Sequence, residues 1–576
     1  MNATPRDTKP ESSTSGIARW RFISVAVVLV LFAIVITGRL TWLHTIEQPF
    51  LFTEGEKRTV RVKSEPARRG MITDRYGQPL AVSTQVIDVG IHPNQVDPAK
   101  LPALADVLGR AGNELIRTVA DARLKRRAFI YLERQIQPDV AARVADLKIE
   151  GLQLTTGYRR YYPAGEVAAH MVGLVNIDHQ GQEGIELAYD QYLQGSAGKR
   201  TVVQDRYGNM VKQVGVSSIA KPGQDIALTI DLRLQYLAYR ELKAAVEQHS
   251  ATAGSAVLLD AKTGEVLAMA SQPSYNPNNR ALLKAENMRN RAIADVIEPG
   301  STMKPFTVAA ALDSGRYTPN SIINTAPGYM QVRHKTIRDH RNYGELDVTG
   351  VITKSSNVGV THLSADLGAD AMWQFFTNAG IGQPSGLGFP GETVGRLPFP
   401  DQLDDLRLAT VSYGYGLAVS PLQLAQAYTS FTQHGCRSQV SIVMDAYSPE
   451  GCQSVMTPKV AKQMLGILET VTSNKGTGRR ARVEGYRVGG KTGTSHKVGR
   501  HGYEDDKYMA VFAGVAPLTD PEVVLVVVID DPKGREYYGG EVAAPVFSRI
   551  AAQALRLRQV IPDDLPEVGQ QVAEGF

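Results

Sequence analysis

The 576-residue chain reads as an α/β protein with a single N-terminal transmembrane helix, a mixed α+β region after it, and a C-terminal half whose sheet is assembled from distant segments. Three observations carry that expectation. Residues 22–38 form an apolar run without a charge. Residues 45 to about 235 hold only short apolar runs broken by Gly, Pro and charge. Strand-like runs stand at both ends of a helix-rich stretch from Ser301 to about Thr432.

Taken in order, residues 1–16 are rich in Ser, Thr and Pro and lack an apolar pattern, so they read as a disordered tail. The apolar run is extended by Leu40, Trp42 and Leu43, and a membrane span needs about 20 such residues. A cleaved signal peptide is the rival, but its apolar region runs about 7–15 residues to a small-x-small site. Ile36-Thr37-Gly38-Arg39-Leu40-Thr41-Trp42 is a poor one. The expected anchor is residues 20–43, with Trp20 and Trp42 at the two interfaces. Arg6, Lys9, Arg19 and Arg21 precede the run, and after Arg39 no Lys or Arg appears until Lys57. The excess of positive charge places residues 1–19 in the cytoplasm and the chain after about residue 45 outside.

Residues 44–235 form the second expected domain, a pedestal or interaction region, with helices over 101–119 and 140–147. A turn at 221–225 leads to a strand over 226–230 and an amphipathic helix over 232–247. Residues 236–576 form the third. Strands at 255–259 and 265–269 are joined by Asp260-Ala261-Lys262-Thr263-Gly264, a hairpin turn with Gly free to take positive φ. Further strands are expected at 509–514 and 523–529, a final helix at 542–557, and an extended tail after about 560. Net charge is +5, small for this length, which excludes a nucleic-acid partner held by charge. Cys436 and Cys452 are the only cysteines, too few for a thiol metal site. Outside the cytoplasm a disulfide is permitted. A hairpin through 440–451 would bring the two together, with two separate buried thiols as the alternative. There is no H-E-x-x-H and no G-x-S-x-G pattern, and the histidines are scattered, His334 and His340 coming nearest to a cluster. They read as surface or satisfied core residues, and no metal or cofactor is expected.

The chemistry is concentrated in three short pieces. In Ser301-Thr302-Met303-Lys304 a hydroxyl and an amine three residues apart share one helix face, and a serine needs such a base to become a nucleophile. Pro299-Gly300 ends an irregular approach and Pro305 fits a first turn, so Ser301 opens a helix where backbone N–H groups can hold an oxyanion. By itself the tetrapeptide is equally an N-cap and a solvated lysine. Ser355-Ser356-Asn357 alone reads as a turn. Lys491-Thr492-Gly493-Thr494 reads as an edge strand, Lys491 and Gly493 on one side and Thr492 and Thr494 on the other, with Gly493 letting a substrate backbone approach. The same stretch, Gly485-Tyr486-Arg487-Val488-Gly489-Gly490-Lys491-Thr492, satisfies the phosphate-loop pattern, and Val526-Val527-Val528-Ile529-Asp530 resembles its acidic strand. A nucleotide hydrolase is rejected because no buried strand precedes the Lys-Thr and no helix-forming stretch follows it.

Together, in this order, Ser-x-x-Lys, Ser-x-Asn and Lys-Thr-Gly are the set of penicillin-recognising acyl-enzymes. The chain resembles the class B penicillin-binding proteins, the peptidoglycan D,D-transpeptidases. Supporting pieces are Arg69-Gly70-x-Ile72-x-Asp74-Arg75-x-Gly77, Gly181-x-Glu183-Gly184-x-Glu186, Gly388-Phe389-Pro390-Gly391-Glu392, Tyr413-Gly414-Tyr415-Gly416 and Tyr538-Gly539-Gly540-x-Val542. Glu298-Pro299-Gly300-Ser301-Thr302 is most like the division-specific FtsI type (penicillin-binding protein 3), with the elongation type as alternative. The resemblance implies an antiparallel sheet with helices on both faces. Ser301 would be the nucleophile, Lys304 its base with a pKa lowered by Lys491, Ser355 a proton relay and Asn357 a holder of the substrate amide. Lys491, Thr492 and Thr494, beside Gly493, would bind the terminal carboxylate, and the Ser301 and Thr494 N–H groups would form the oxyanion hole. It further implies peptidoglycan stem peptides as substrate, β-lactams as covalent inhibitors, an inner-membrane location with a periplasmic catalytic domain, and as partners membrane lipid, an FtsW-type glycosyltransferase and other divisome proteins. A D,D-carboxypeptidase, a β-lactamase and a non-enzymatic β-lactam sensor share the motifs and are its rivals.

Overall fold

The computed structural model describes residues 19–205, 210–444, 452–499 and 502–564. The expected N-terminal tail up to residue 18 and the chain beyond residue 564 lie outside them. Helix α1 (Arg19–Thr45) has no residue buried in the protein. At 27 residues it extends about 40 Å, enough to cross a bilayer.

After α1 and a further helix, Gln48–Thr59, the chain enters a three-stranded antiparallel sheet of Val60–Glu65, Gly198–Gln204 and Met210–Ser218. A second sheet is built around Pro79–Ile91, which pairs with Ile130–Ile136 and Leu152–Tyr161. Val89 and Ile91 of that strand share a small core with Leu104, Leu115 and Val144 from the helices against it. The helix expected over 101–119 is two helices, Leu101–Leu108 and Gly112–Leu124. Gly109 adopts φ 67°, the left-handed cap that ends the first. The strand expected over 226–230 is confined to Ile226–Ala227, parallel to Ile72–Thr73. Beyond it the backbone turns to new partners, Thr229 N–H donating to Ile442 O at 2.9 Å. Four charges lie inside this region. Glu186, fully buried, accepts from Arg69 Nε and Arg160 Nε at 2.6 Å each, and Asp190 accepts from Arg69 Nη1 at 2.7 Å.

Helix α2 (Leu232–Gln248) contains the expected boundary at residue 235. Leu234 and Leu237 share one core with the C-terminal sheet, so the whole helix goes with that sheet. The sheet has five strands: β1 (Ala253–Asp260), β2 (Val266–Gln272), β3 (Gly489–Gly499), β4 (Gly502–Ala516) and β5 (Val523–Asp530). They stand in the order β2-β1-β5-β4-β3, every pair antiparallel. Alternation sorts each strand between two cores. Val257, Leu259, Val524 and Val526 face one, and Leu258, Ala256, Leu525 and Val527 face the other. Helix α2 and the last helix, α8 (Gly539–Leu557), close the second face. The first face receives α3 (Lys304–Asp313), α6 (Pro421–Thr432) and α7 (Pro458–Thr472). Between α3 and α6 lie α4 (Val348–Lys354) and α5 (Asn357–Leu367). Two short ladders missed by the sequence reading, Ile322–Asn324 with Glu345–Asp347 and Tyr329–Val332 with Lys335–Arg338, interrupt the helical middle just before α4.

Cys436 and Cys452 are joined in a disulfide, Cα atoms 5.6 Å apart, so the alternative of two free thiols is closed. Cys436 pairs with Ser454 across the ladder that carries it. Residues 445–451, part of the expected hairpin, lie outside the described residues.

Candidate active site

Ser301 lies in a 3-10 turn, Gly300–Met303, that runs straight into α3. The serine opens a helix as expected, with a tighter first turn. Lys304, the first residue of α3, is wholly buried, and its Nζ donates to Ser355 O at 2.5 Å and Ser355 Oγ at 3.2 Å. Burial pushes the Lys304 amine down to about 7, while the Asp339 carboxylate pulls it up. The expected cause, repulsion from Lys491, is not the governing one: desolvation is. Lys491 is itself wholly buried and driven well below the usual lysine range, by burial first and by the Lys304 charge second.

Ser355 ends α4 with φ 59°, a left-handed conformation uncommon for a side-chain-bearing residue. Ser356 then caps α5, its Oγ accepting from Gly359 N at 2.9 Å. What holds this strained corner is Asp339, which the sequence reading missed. One carboxylate oxygen accepts from Ser356 Oγ at 2.6 Å, the other from the backbone N–H groups of Asn357 and Val358 at 2.5 and 3.0 Å. The Asn357 side-chain amide donates to Arg338 O at 2.8 Å. No local spacing links residue 339 to 355–357; the ladder ending at Arg338 delivers it.

Lys491-Thr492-Gly493-Thr494 lies within the edge strand β3, paired residue by residue with 510–513 of β4. A lysine in mid-strand cannot begin the helix of a phosphate loop, so that alternative is excluded. The predicted alternation holds, but Gly493 serves a different purpose. A Cβ there would lie 2.6 Å from Pro299 O and 3.0 Å from Thr302 Cγ2. The glycine lets the Ser301 turn press against the strand; it faces that turn, where the sequence reading had it facing substrate. Thr492 Oγ1 is 2.8 Å from Thr477 Oγ1, and Thr494 Oγ1 accepts from Gly539 N at 2.9 Å, which ties β3 to the start of α8.

Ser301, Ser355, Thr492 and Thr494 line one open cleft of roughly 590 Å³. Lys304 and Lys491 lie beneath its wall. The opposite wall is aromatic. His496 and Tyr508 have ring centres 4.9 Å apart, Tyr508 and Tyr537 4.3 Å, and Tyr537 and Tyr538 4.4 Å. His340 continues the row against Tyr538 at 6.5 Å, a position the sequence reading left as surface or core. Tyr415 reaches from the Tyr-Gly-Tyr-Gly turn, its hydroxyl 3.4 Å from Thr494 O. Among the described residues no three His, Cys, Asp or Glu side chains are grouped to hold a metal ion. The cleft thus holds the Ser301 and Ser355 hydroxyls, and the buried Lys304 amine, its pKa lowered by burial, is bonded to Ser355.

Residues 254–552 match the penicillin binding protein transpeptidase domain, and residues 64–228 match the penicillin-binding protein dimerisation domain. The chain is 42% identical over 574 residues to the peptidoglycan D,D-transpeptidase FtsI of Escherichia coli K12, covering 98% of this chain and 97% of that protein. It is 41% identical over 551 residues to a probable peptidoglycan D,D-transpeptidase, PbpC, of Pseudomonas aeruginosa, covering 95% and 97%. Among solved structures, the transpeptidase domain of Burkholderia pseudomallei penicillin-binding protein 3 matches at 41% identity and TM-score 0.54, over 59% of this chain and 98% of that one. Penicillin-binding protein 3 of Mycobacterium tuberculosis, in complex with aztreonam, matches at 27% identity and TM-score 0.68, over 87% and 98%.

Proposed function

The chain belongs to the penicillin-binding protein transpeptidase family, and from that premise we propose that Ser301 is the residue acylated by its substrate. The protein is a peptidoglycan D,D-transpeptidase of the FtsI type, and its role is in septal wall synthesis. In the reaction Ser301 Oγ attacks the penultimate D-Ala carbonyl of a stem peptide, and its proton passes to neutral Lys304. The tetrahedral oxyanion is held by the Ser301 and Thr494 N–H groups. As the C–N bond breaks, the departing D-Ala amine takes a proton relayed from Lys304 through Ser355. An amine of a second stem then attacks the Ser301 ester, forming the cross-link and returning a proton to Ser301 Oγ. Lys491, Thr492 and Thr494 hold the donor's terminal carboxylate beside Gly493, and Asn357 its amide. A β-lactam enters as a mimic of D-Ala-D-Ala and remains as an ester.

One observation carries this reading above the rest: a lysine one turn after Ser301, wholly buried and brought to about 7, bonded to the Ser355 carbonyl and within 3.2 Å of its hydroxyl. A lysine on a solvated face would stay charged and accept nothing. The same chemistry with water as acceptor is carboxypeptidase action, and product analysis separates the two. For topology, the basic residues before the apolar run of α1 support an N-terminus in the cytoplasm and a catalytic domain in the periplasm. An FtsW-type glycosyltransferase and other divisome proteins are the proposed partners, met through the pedestal and through α1, none of whose residues is buried in the protein. Ser301→Ala is expected to abolish covalent labelling by a fluorescent penicillin at an unchanged melting temperature; labelling that persists removes Ser301 from the mechanism.

A further inference from the structure

A second cleft, roughly 670 Å³, adjoins the first, and His496 lines both. It runs past Glu298, close before Ser301 in sequence. Glu298 lines this cleft, its Oε1 accepting from Gly416 N at 2.8 Å and from Tyr503 OH at 3.1 Å. The charges of this cleft do not cancel. Asp295 is paired with Arg289 and, at 3.0 Å, with Arg291. Asp530 is paired with Lys497 at 2.6 Å. Arg396 and Arg407 remain, both exposed, against the one remaining carboxylate, Glu298. Arg407 donates to the Gln402 carbonyl at 3.1 Å, and neither has an ion-pair partner among the described residues. The Arg291 Nε is a buried donor without an acceptor in the same cleft.

Cross-linking needs two peptides, and each brings a terminal carboxylate. The donor's leaves with D-Ala once Ser301 is acylated, so the groups on β3 act on the donor. The acceptor arrives with its own carboxylate still attached, and that charge needs a cation within reach of the ester but outside the donor's path. We propose that the cleft bearing Arg396 and Arg407 is the binding site for the acceptor stem peptide, the two guanidinium groups holding its free carboxylate while its amine reaches Ser301 past His496. In the step it serves, the neutral amine nitrogen bonds to the acyl carbon, the ester C–O bond to Ser301 breaks, and one amine proton ends on Ser301 Oγ. Guanidinium is suited to this because its fork matches a carboxylate's two oxygens.

The inference rests on the transpeptidase reading, and one experiment separates their failures. The full chain in detergent is acylated with a D-Ala-D-Ala thioester analogue and offered two amines: a tripeptide with free carboxylates, and the same tripeptide with them amidated. In Arg396→Glu/Arg407→Glu the concentration of free-carboxylate acceptor at half-maximal aminolysis is expected to rise at least about tenfold, the scale of losing a charge-assisted contact. The amidated acceptor and the rate of penicillin acylation are expected to move less than about twofold. Arg396→Gln alone gives an intermediate shift, and added salt weakens the free acceptor selectively. An unchanged half-maximal concentration, or equal shifts for both amines, overturns the acceptor site. Loss of penicillin acylation in the unsubstituted chain would instead overturn the transpeptidase reading.

Discussion

Two buried groups of charge-bearing side chains are treated in opposite ways. In the membrane-proximal domain, Glu186 sits at zero exposure between Arg69 and Arg160, with Asp190 completing the set. Every main charge there has a partner within 2.7 Å. In the catalytic domain Lys304 and Lys491 are equally buried and, among the described residues, have no carboxylate in contact; Lys304 is bonded to a carbonyl and a hydroxyl, Lys491 to the Thr492 carbonyl at 3.1 Å. The first arrangement compensates desolvation with opposite charge. The second lacks a carboxylate in contact, so desolvation lowers the pKa of both amines. Burial alone therefore says nothing about function: whether the buried group is paired decides if it locks the fold or is held ready to react.

That contrast can be broken from either side. Glu186→Gln leaves Arg69 and Arg160 facing a neutral group in the core. Losing one partner of a buried ion set costs about 3–5 kcal/mol, so the denaturation midpoint is expected to fall well before labelling of the still-folded fraction changes. Equal midpoints would mean that the cluster contributes nothing. Lys304→Met keeps the length and removes the amine. Its acylation rate by penicillin should drop at least about 10²-fold, the scale of a lost general base, with a melting temperature unchanged or higher because no desolvated amine remains. A large loss of stability would put Lys304 among the locks.

The smallest effect sharpens the assignment of cause. The base must be neutral to act, so acylation should follow the neutral fraction of Lys304: level above about 7 and falling as pH drops below it. Asp339 pulls that ionisation up, and Asp339→Asn should move the acid limb to lower pH, together with a slower plateau from the loosened 355–357 corner. A limb that stays in place would show that Asp339 acts through position alone.

Much of the site was legible along the chain because its chemistry is local. A serine and a lysine one turn apart, alternation along 491–494 and an unbroken apolar helix are read from short-range periodicity, which neighbouring residues impose directly. Asp339, Tyr503 and the row from His496 to His340 were not legible in the same way. Their partners lie far off in sequence: Asp339 reaches residues 356–358 from the end of a separate ladder, and Tyr503 reaches Glu298 from β4.

The sequence by itself determined where the three motifs stand, that an apolar N-terminal helix precedes them, and that the phosphate-loop pattern is a decoy. Only the tertiary structure decided why the Lys304 pKa is lowered, what Gly493 packs against, and which side chains wall the cleft. A residue type and its spacing are properties of the chain, but desolvation is the work of every segment that closes over a group, and those segments meet only when the sheet is complete.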